Sequence, residues 1–291
     1  MNPILNRRAF LAASALLAVS TRFPAMARAG AAPSAHKEQL VRGLIAKMTL
    51  TEKLGQMTQL AGGRQKALNS RIDDAALDRV RQGRVGSYLH VAGAEPLARL
   101  QRVAVEESRL GIPLLFAMDV VHGYRTIMPV PLALAASFDP ETARRAARVA
   151  AVEASVSGLH WTFAPMIDIA RDARWGRVVE GAGEDPYLGS RMAEAQVLGF
   201  QTEDLSNQDA MMACAKHFGA YGAGVGGRDY DRADISSETL HEVYLPPFQA
   251  AIAAGAGSFM TAFNELNGVP TTGNAELVRA LLREEWGYQG L

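Results

Sequence analysis

The chain is poor in several features that would place a protein in a common functional class. It has a single cysteine, Cys214, so it cannot form an internal disulfide. It has no excess charge, because 30 lysines and arginines balance 30 aspartates and glutamates. This balance gives no indication of nucleic acid or acidic lipid as a partner. Cys214 lies in the apolar stretch 211–215, which predicts a buried structural thiol rather than a nucleophile.

The sequence also lacks the spacing of a metal site and of a phosphate-binding loop. His241-Glu242 is not followed by the second histidine of a zinc motif, and the other histidines are scattered. The glycine-rich stretch 219–227 contains no Gly-Lys-Ser/Thr and does not lead straight into a helix. We therefore expect no metal and no cofactor, and we interpret these glycines as a flexible loop over a pocket. A neutral ligand such as a sugar is compatible with this composition.

Residues 1–29 have the layout of an export signal. Arg7 and Arg8 precede the apolar run 9–19, and small residues around Ala27 and Ala29 offer cleavage sites. The order Arg-Arg-Ala-Phe-Leu in residues 7–11 is similar to a twin-arginine signal. The alternative is a membrane anchor, but a run of about eleven apolar residues is too short to span a bilayer. The sequence thus predicts a periplasmic or secreted protein with no membrane contact after signal removal.

Helix and strand signals alternate along the rest of the chain. Short apolar stretches predict strands near residues 85–91, 114–118, 163–169, 211–215 and 258–263. Residues with capping preferences mark helix starts, and these are Thr51, Asp139, Ser236 or Ser237, and Asn274. Alternation of this kind indicates parallel βα units. We predict the α/β class and a TIM-type (β/α) barrel over residues 30–291, a length that fits the roughly 250 residues of such a barrel.

Residues 162–186 form the most informative segment. An apolar run ends in a dense group of charges with two glycine turns among them, which is typical of the mouth of an α/β barrel. Residues 171–177 read Arg-Asp-Ala-Arg-Trp-Gly-Arg, and residues 183–186 read Gly-Glu-Asp-Pro. These motifs resemble glycoside hydrolase family 3, in its exported β-glucosidase branch. The resemblance runs from about residue 37 to residue 291 but covers only the N-terminal portion of the family's length.

The resemblance implies five sugar-binding residues: Asp119, Arg125, Arg177, Lys216 and His217. Asp119 directly follows an apolar strand, where a barrel places its ligand groups, and would accept hydrogen bonds from two sugar hydroxyls. The alternative for Asp119 is a helix-capping residue beside a solvated loop. The alternative for His217 is a structural histidine.

Other residues near these motifs have open interpretations. Trp175 either stacks on a sugar face or packs under its loop, and Phe263 stands where many members have tyrosine. Arg171, Arg174 and Glu184 are expected to hold the loop together as an ion-pair network.

The resemblance also indicates which parts of the catalytic machinery to expect. Family members use a retaining mechanism with two carboxyl groups. Their nucleophilic aspartate follows a lead-in that stands here at residues 286–290, and their acid/base glutamate comes from a second domain. Tyr221 replaces the second histidine of the single-domain N-acetylglucosaminidases, which favours the β-glucosidase branch. We therefore expect no catalytic carboxylate before Leu291 and a barrel that is incomplete at its C-terminal end, with residues 288–291 leading into a further strand.

The expected activity of the full-length family member is hydrolysis of terminal non-reducing β-D-glucosyl residues. The expected ligand is a β-glucoside or an oligosaccharide, and this chain would supply the sugar-binding part of the pocket. A missing C-terminal domain or a second chain would complete the enzyme. The alternatives are a non-catalytic sugar-binding protein and one half of a split two-chain glycosidase.

Overall fold

Short strands, parallel except for an antiparallel hairpin within residues 265–270, alternate with helices in the computed structural model, which describes residues 35–62 and 70–291. The strands are β1 Gln59–Ala61, β2 Ser87–Leu89, β3 Leu115–Met118, β4 Trp161–Thr162, β5 Cys214–Phe218, β6 Ser258–Thr261, β7 Glu265–Leu266 and β8 Val269–Pro270. The α-helices are α1 Ala35–Lys47, α2 Leu50–Gln56, α3 Asp74–Arg81, α4 Ala94–Arg102, α5 Pro131–Ala135, α6 Pro140–Val156, α7 Pro186–Gln201, α8 Ser237–Thr239 and α9 Pro246–Ala253. Wider π-helical turns cover Val103–Glu107, Leu240–Tyr244 and Glu276–Glu285. The predicted export signal lies outside the described residues.

The strands follow one another in chain order around a parallel arc. β1, β2, β3 and β4 form one parallel sheet, and β5 pairs in parallel with β6. Isolated parallel bridges, Trp161 to Met212 and Met166 to Lys216, connect the two sheets. Parallel strands joined by helices and ordered in this way form the wall of a (β/α) barrel. The fold class predicted from the sequence is therefore confirmed.

Leu291 already pairs beside β6. Its carbonyl accepts from Phe259 N–H at 2.9 Å, and its N–H donates to the carbonyl of Gly257 at 3.0 Å. This agrees with the prediction that residues 288–291 lead into a strand.

Helices α6 and α7 pack closely because the facing residues are small. The buried face of α6 consists of alanines: Ala143, Ala147, Ala150, Ala151 and Ala154. A Cβ at Gly199 of α7 would lie 2.5 Å from the carbonyl oxygen of Arg144. The absence of larger side chains thus allows the two helices to approach each other and to cover the sheet together.

Several helix boundaries agree with the sequence. The side chains of Asp139 and Ser236 accept backbone N–H groups at the starts of α6 and α8, and Asn274 Oδ1 accepts Leu277 N–H at 3.0 Å. The prediction for Thr51 is wrong. Thr49 caps α2, because Glu52 stands three residues later and its carboxylate accepts the Thr49 N–H at 2.8 Å.

Five strand assignments also differ from the prediction, and two of them, the antiparallel hairpin strands β7 and β8, lie beyond the last predicted strand. β1 was not predicted, because its three residues give too short an apolar pattern. The strand predicted at 163–169 is not regular; the regular strand β4 lies just before it at Trp161–Thr162, and Pro165 has no N–H for a continuous ladder. The strand predicted at 211–215 lies at 214–218 instead, where its carboxyl end carries Lys216 and His217.

The N-terminal helices α1 and α2 leave apolar side chains in solvent. No residue of α1 is buried. The large exposed apolar side chains of this pair are Leu40, Val41, Ile45, Leu50 and Leu54. Within the described ranges, the structure contains no helix with the length and apolar character that a membrane span requires.

Glu52 forms an ion pair whose contribution to the stability of the fold depends on pH. Hydrogen bonds from Arg109, at 2.9 and 2.5 Å, and from Thr49 N–H lower the pKa of Glu52 from 4.5 to about 2. A depressed folded-state pKa stabilises the fold above the unfolded-state value, and this contribution is lost as pH falls through the folded-state value. We expect Glu52→Gln to lower the free energy of unfolding near neutral pH, with the difference from wild type shrinking between pH 4.5 and about 2.

Urea unfolding of wild type and variant across this pH range would measure the effect. Glu95→Gln, which changes an exposed glutamate in the first turn of α4, is the matched control and should change stability little. A wild-type advantage that stays constant down to about pH 2 would contradict the role given to the Glu52–Arg109 pair.

Candidate functional site

Two parts of the barrel wall bring a carboxylate and an ammonium group together. Asp119 follows the end of β3, and Lys216 lies near the carboxyl end of β5. Lys216 Nζ donates to Asp119 Oδ1 at 2.7 Å. The Lys216 side chain is only 4% exposed, whereas that of Asp119 is 35% exposed. The pair therefore combines a buried cation with a carboxylate that a ligand can reach.

His217 is held by a second carboxylate below the surface. Its Nδ1 lies 2.8 Å from Asp168 Oδ2, and its backbone N–H donates to the same oxygen at 2.9 Å. Both side chains are almost fully buried. Asp168 Oδ1 has no hydrogen-bond partner within the part of the chain that the structure describes. Asp168 thus fixes the orientation of the imidazole, and only its ring edge away from Nδ1 remains for other contacts.

Arg177 is also fixed before any ligand is bound. Its guanidinium donates two bonds to Glu180, at 2.7 and 2.8 Å, and lies 5.5 Å from the centre of the Tyr221 ring. Burial lowers the pKa of Arg177, but the hydrogen bonds to Glu180 outweigh it and raise the pKa above the ordinary value. The arginine therefore stays charged beside His217, whose ring centre is 4.9 Å from that of Tyr221.

Trp175 packs under the loop, which decides between the two interpretations of this residue. Its side chain is buried, and its Nε1–H donates to Asp229 Oδ1 at 3.0 Å. Burial would raise the pKa of Asp229, yet the adjacent Tyr221 hydroxyl and the hydrogen bond from Trp175 bring it below the usual range. Burial raises the pKa of Tyr221. Trp175, Tyr221 and Asp229 thus form a packed group, and the Arg177 guanidinium lies against its Tyr221 ring.

The glycine-rich stretch 219–227 is partly an interior segment. Residues 219–222 are buried, and a Cβ at Gly222 would overlap the carbonyl oxygen of Ile169. Its first half packs against the irregular segment after β4 instead of forming an exposed loop over the pocket. The interpretation as a loop over a pocket is wrong for this half, because glycine allows close backbone contact as readily as mobility.

The remaining residues of the charged motif have mainly local roles. Arg174 pairs with Asp172 at 2.6 Å, and this bond contributes most to lowering the pKa of Asp172 to about 2. In the described ranges Arg171 and Glu184 belong to no ion pair, so the predicted three-residue network is wrong. Asp185 caps α7, with Pro186 as its first residue. The Gly-Glu-Asp-Pro motif therefore starts a helix and places the charged loop beside the site.

Arg125 is the one predicted site residue whose side chain is exposed and has no contact described at the site. Its side chain is exposed, and its backbone N–H donates to Glu153 Oε2 at 2.8 Å. The structure brings together Asp119 with Lys216, and Arg177 with His217 around Tyr221. A role for Arg125 in sugar binding stays a prediction.

Sequence reasoning missed His90. Its Nε2 lies 2.9 Å from Asp119 Oδ2, so it contacts the oxygen that Lys216 leaves free. His90 directly follows β2, as Asp119 follows β3, but the strand predicted at 85–91 contained His90, so its place at a strand end was not evident from the sequence.

Phe263 follows β6 closely and stands over His217, with ring centres 5.4 Å apart. Cys214 is buried, as predicted, and burial raises the pKa of its thiol to about 12.

The site as a whole presents fixed polar groups at the carboxyl ends of β2, β3 and β5. Asp119 supplies an acceptor, while Lys216 and Arg177 supply donors whose charges are balanced by protein partners. No cluster of three or more metal-ligating side chains occurs among residues 35–62 and 70–291. An arrangement of this kind can bind a neutral molecule that carries several hydroxyl groups.

Comparison with known proteins gives a consistent result. Residues 49–291 match the family described as Glycosyl hydrolase family 3 N terminal domain. The chain is 41% identical to the periplasmic beta-glucosidase of Salmonella typhimurium, over 88% of this chain and 33% of that protein. It is 33% identical to a putative beta-xylosidase of Formosa agariphila, over 87% of this chain and 36% of that protein.

The fold is similar to that of a mutant beta-glucosidase from Listeria innocua, solved in complex with laminaribiose. The TM-score is 0.80 with 42% identity, and the match covers 86% of this chain and 36% of the solved chain. The chain thus spans about a third of the length of these relatives.

Proposed function

Since the chain belongs to glycosyl hydrolase family 3, we propose that it forms the sugar-binding part of a β-glucosidase pocket. The observation that carries this proposal is the Asp119–Lys216 pair at the carboxyl ends of β3 and β5. In a (β/α) barrel, these strand ends are where ligands bind. The proposed ligand is the terminal non-reducing β-D-glucosyl residue of a β-glucoside or oligosaccharide.

The fixed side chains suggest how the sugar is held. Asp119 accepts hydrogen bonds from two neighbouring hydroxyls, while Lys216 and His217 donate to others. Arg177, which packs against the Tyr221 ring, approaches the same sugar. Arg125 is proposed to reach it from the adjacent loop. Because Lys216 and Arg177 are already paired with carboxylates, a neutral sugar suits them better than an anionic ligand would.

We propose that the catalytic carboxylates are not among these residues. A retaining glycosidase needs a free nucleophilic carboxylate about 5–5.5 Å from an acid/base carboxyl. Asp119 is engaged by Lys216 and His90, and Asp168 is buried against His217. Neither carboxylate is therefore free to act as the nucleophile. Retaining hydrolysis would draw its nucleophile and its acid/base from residues beyond this chain, supplied by a further domain or a second chain.

The same proposal extends to the domain limits and the location. Residues 1–29 are a twin-arginine-like export signal, and residues 30–291 are the N-terminal barrel domain. The Salmonella typhimurium relative carries the description periplasmic, which supports export to the periplasm or beyond.

The test is direct binding of methyl β-D-glucopyranoside to the chain, measured by saturation-transfer NMR and titration. We expect wild type to bind, Lys216→Met to lose about 10-fold or more in affinity, and 4-nitrophenyl β-D-glucoside to remain unhydrolysed. Lys53→Met, which removes an exposed lysine of α2, is the matched control and should bind as wild type does.

Each other outcome has a distinct meaning. No binding of the β-glucoside would contradict the proposed function. Binding without hydrolysis after addition of candidate partner chains would favour a non-catalytic sugar-binding protein. Hydrolysis by the chain alone would show that a carboxylate within it performs the chemistry, and Asp119, Asp168 and Glu184 would be the first to mutate.

A further inference from the structure

We propose that His90 is a positioning residue of the sugar site, which fixes the carboxylate plane of Asp119 for its ligand. This inference rests on the proposed function. A carboxylate held at one oxygen can still rotate about its last side-chain bond. Here Lys216 holds Oδ1 at 2.7 Å and His90 holds Oδ2 at 2.9 Å, so both oxygens have a fixed partner. The lone pairs that remain then point in defined directions.

The backbone of His90 supports a role beyond local structure. His90 has a φ of 60°, in the left-handed region that few non-glycine residues adopt, although asparagine, aspartate and histidine adopt it more often than the rest. Its N–H donates to the carbonyl of Ala117 at 2.9 Å, which ties it to β3 two residues before Asp119. A side chain kept in an unfavourable backbone conformation, next to a ligand-facing group, indicates that the side chain itself is needed.

Exposure argues in the same direction. The side chains of His90 and Asp119 are 41% and 35% exposed. Pairs with this much solvent contact add little to stability. The contact between His90 and Asp119 is therefore better explained by the orientation it gives to Asp119 than by a contribution to folding.

The test compares three substitutions at this position for stability and for affinity. His90→Gly removes the ring and relieves the backbone. His90→Gln places an amide nitrogen at roughly the position of Nε2, and His90→Asn tolerates the left-handed backbone but is shorter. We expect His90→Gly to unfold at an equal or higher urea concentration, yet to bind methyl β-D-glucopyranoside about 10-fold more weakly. His90→Gln should be less stable than His90→Gly but bind more tightly, and His90→Asn should bind like His90→Gly.

Opposite changes in stability and affinity separate positioning from a structural role. Parallel losses of both in His90→Gly would overturn the proposal, and so would wild-type affinity in that variant. A wild-type chain that does not bind the glucoside would instead overturn the proposed function, and the positioning role with it. A sugar-free measurement tests the contact itself: the Nε2 signal of His90 in ¹⁵N NMR should shift in Asp119→Asn, and an unchanged signal would overturn the proposal.

Discussion

Replacing Asp119 with alanine is expected to destabilise the folded chain by about 3 kcal/mol. Lys216 is almost fully buried, and Asp119 is its only ion-pair partner among the described residues. Removing the carboxylate leaves a buried ammonium group without its ion-pair partner, and an uncompensated buried charge costs several kcal/mol. Denaturant unfolding of wild type and variant measures the difference.

The burial of the two partners makes this effect asymmetric. Lys216→Met keeps the apolar stem and removes the charge, and the carboxylate it leaves behind still contacts water and His90. We therefore expect Lys216→Met to cost roughly half as much, and Asp119→Ala in the Lys216→Met background to cost under about 1 kcal/mol. Equal costs for Asp119→Ala in both backgrounds would contradict the assignment of a buried, mutually compensating pair.

Gly222→Ala is expected to destabilise the chain by about 3 kcal/mol and to weaken sugar binding. A Cβ at this position would overlap the carbonyl oxygen of Ile169 and lie 3.3 Å from the ring of Trp175. Neither neighbour can move freely, because Ile169 and Trp175 are both fully buried. The strain would also reach Tyr221, on which Arg177 rests.

Gly176→Ala, in the charged motif next to Trp175, is the matched control. No atom lies within 4 Å of a Cβ built at Gly176, so this variant should unfold within about 0.5 kcal/mol of wild type. Denaturant unfolding and glucoside titration of both variants give the two readouts. A Gly222→Ala variant as stable as Gly176→Ala would show that the backbone at residue 222 yields easily.

The sequence predicted those residues of the candidate site whose position follows from a single strand and the residue at its end. Asp119 and Lys216 were predicted to serve one site, and the structure joins them, because each follows an apolar stretch and parallel strands end at the same edge. The family and the barrel class were also predicted correctly, since the charged motif is long and specific.

Contacts that depend on tertiary structure could not be predicted in this way. The hydrogen bond between Asp168 and His217 joins the irregular segment after β4 to strand β5. The position of Asp168 along the barrel wall depends on that irregular segment. His90 contacts Asp119 from a left-handed backbone, and no local sequence pattern signals that conformation at this position. The error at Thr51 was avoidable, because the capping-box spacing from Thr49 to Glu52 was present in the sequence.

The exposed apolar side chains of α1 and α2 also determine how this chain behaves as a solute. Leu40, Val41 and Ile45 lie on adjoining positions of one helix, and Leu50 and Leu54 follow on the next. Apolar surface of this kind associates more strongly when sulfate or phosphate is excluded from it. The solubility of the chain will therefore fall steeply in ammonium sulfate, and the chain will be retained on hydrophobic chromatography media.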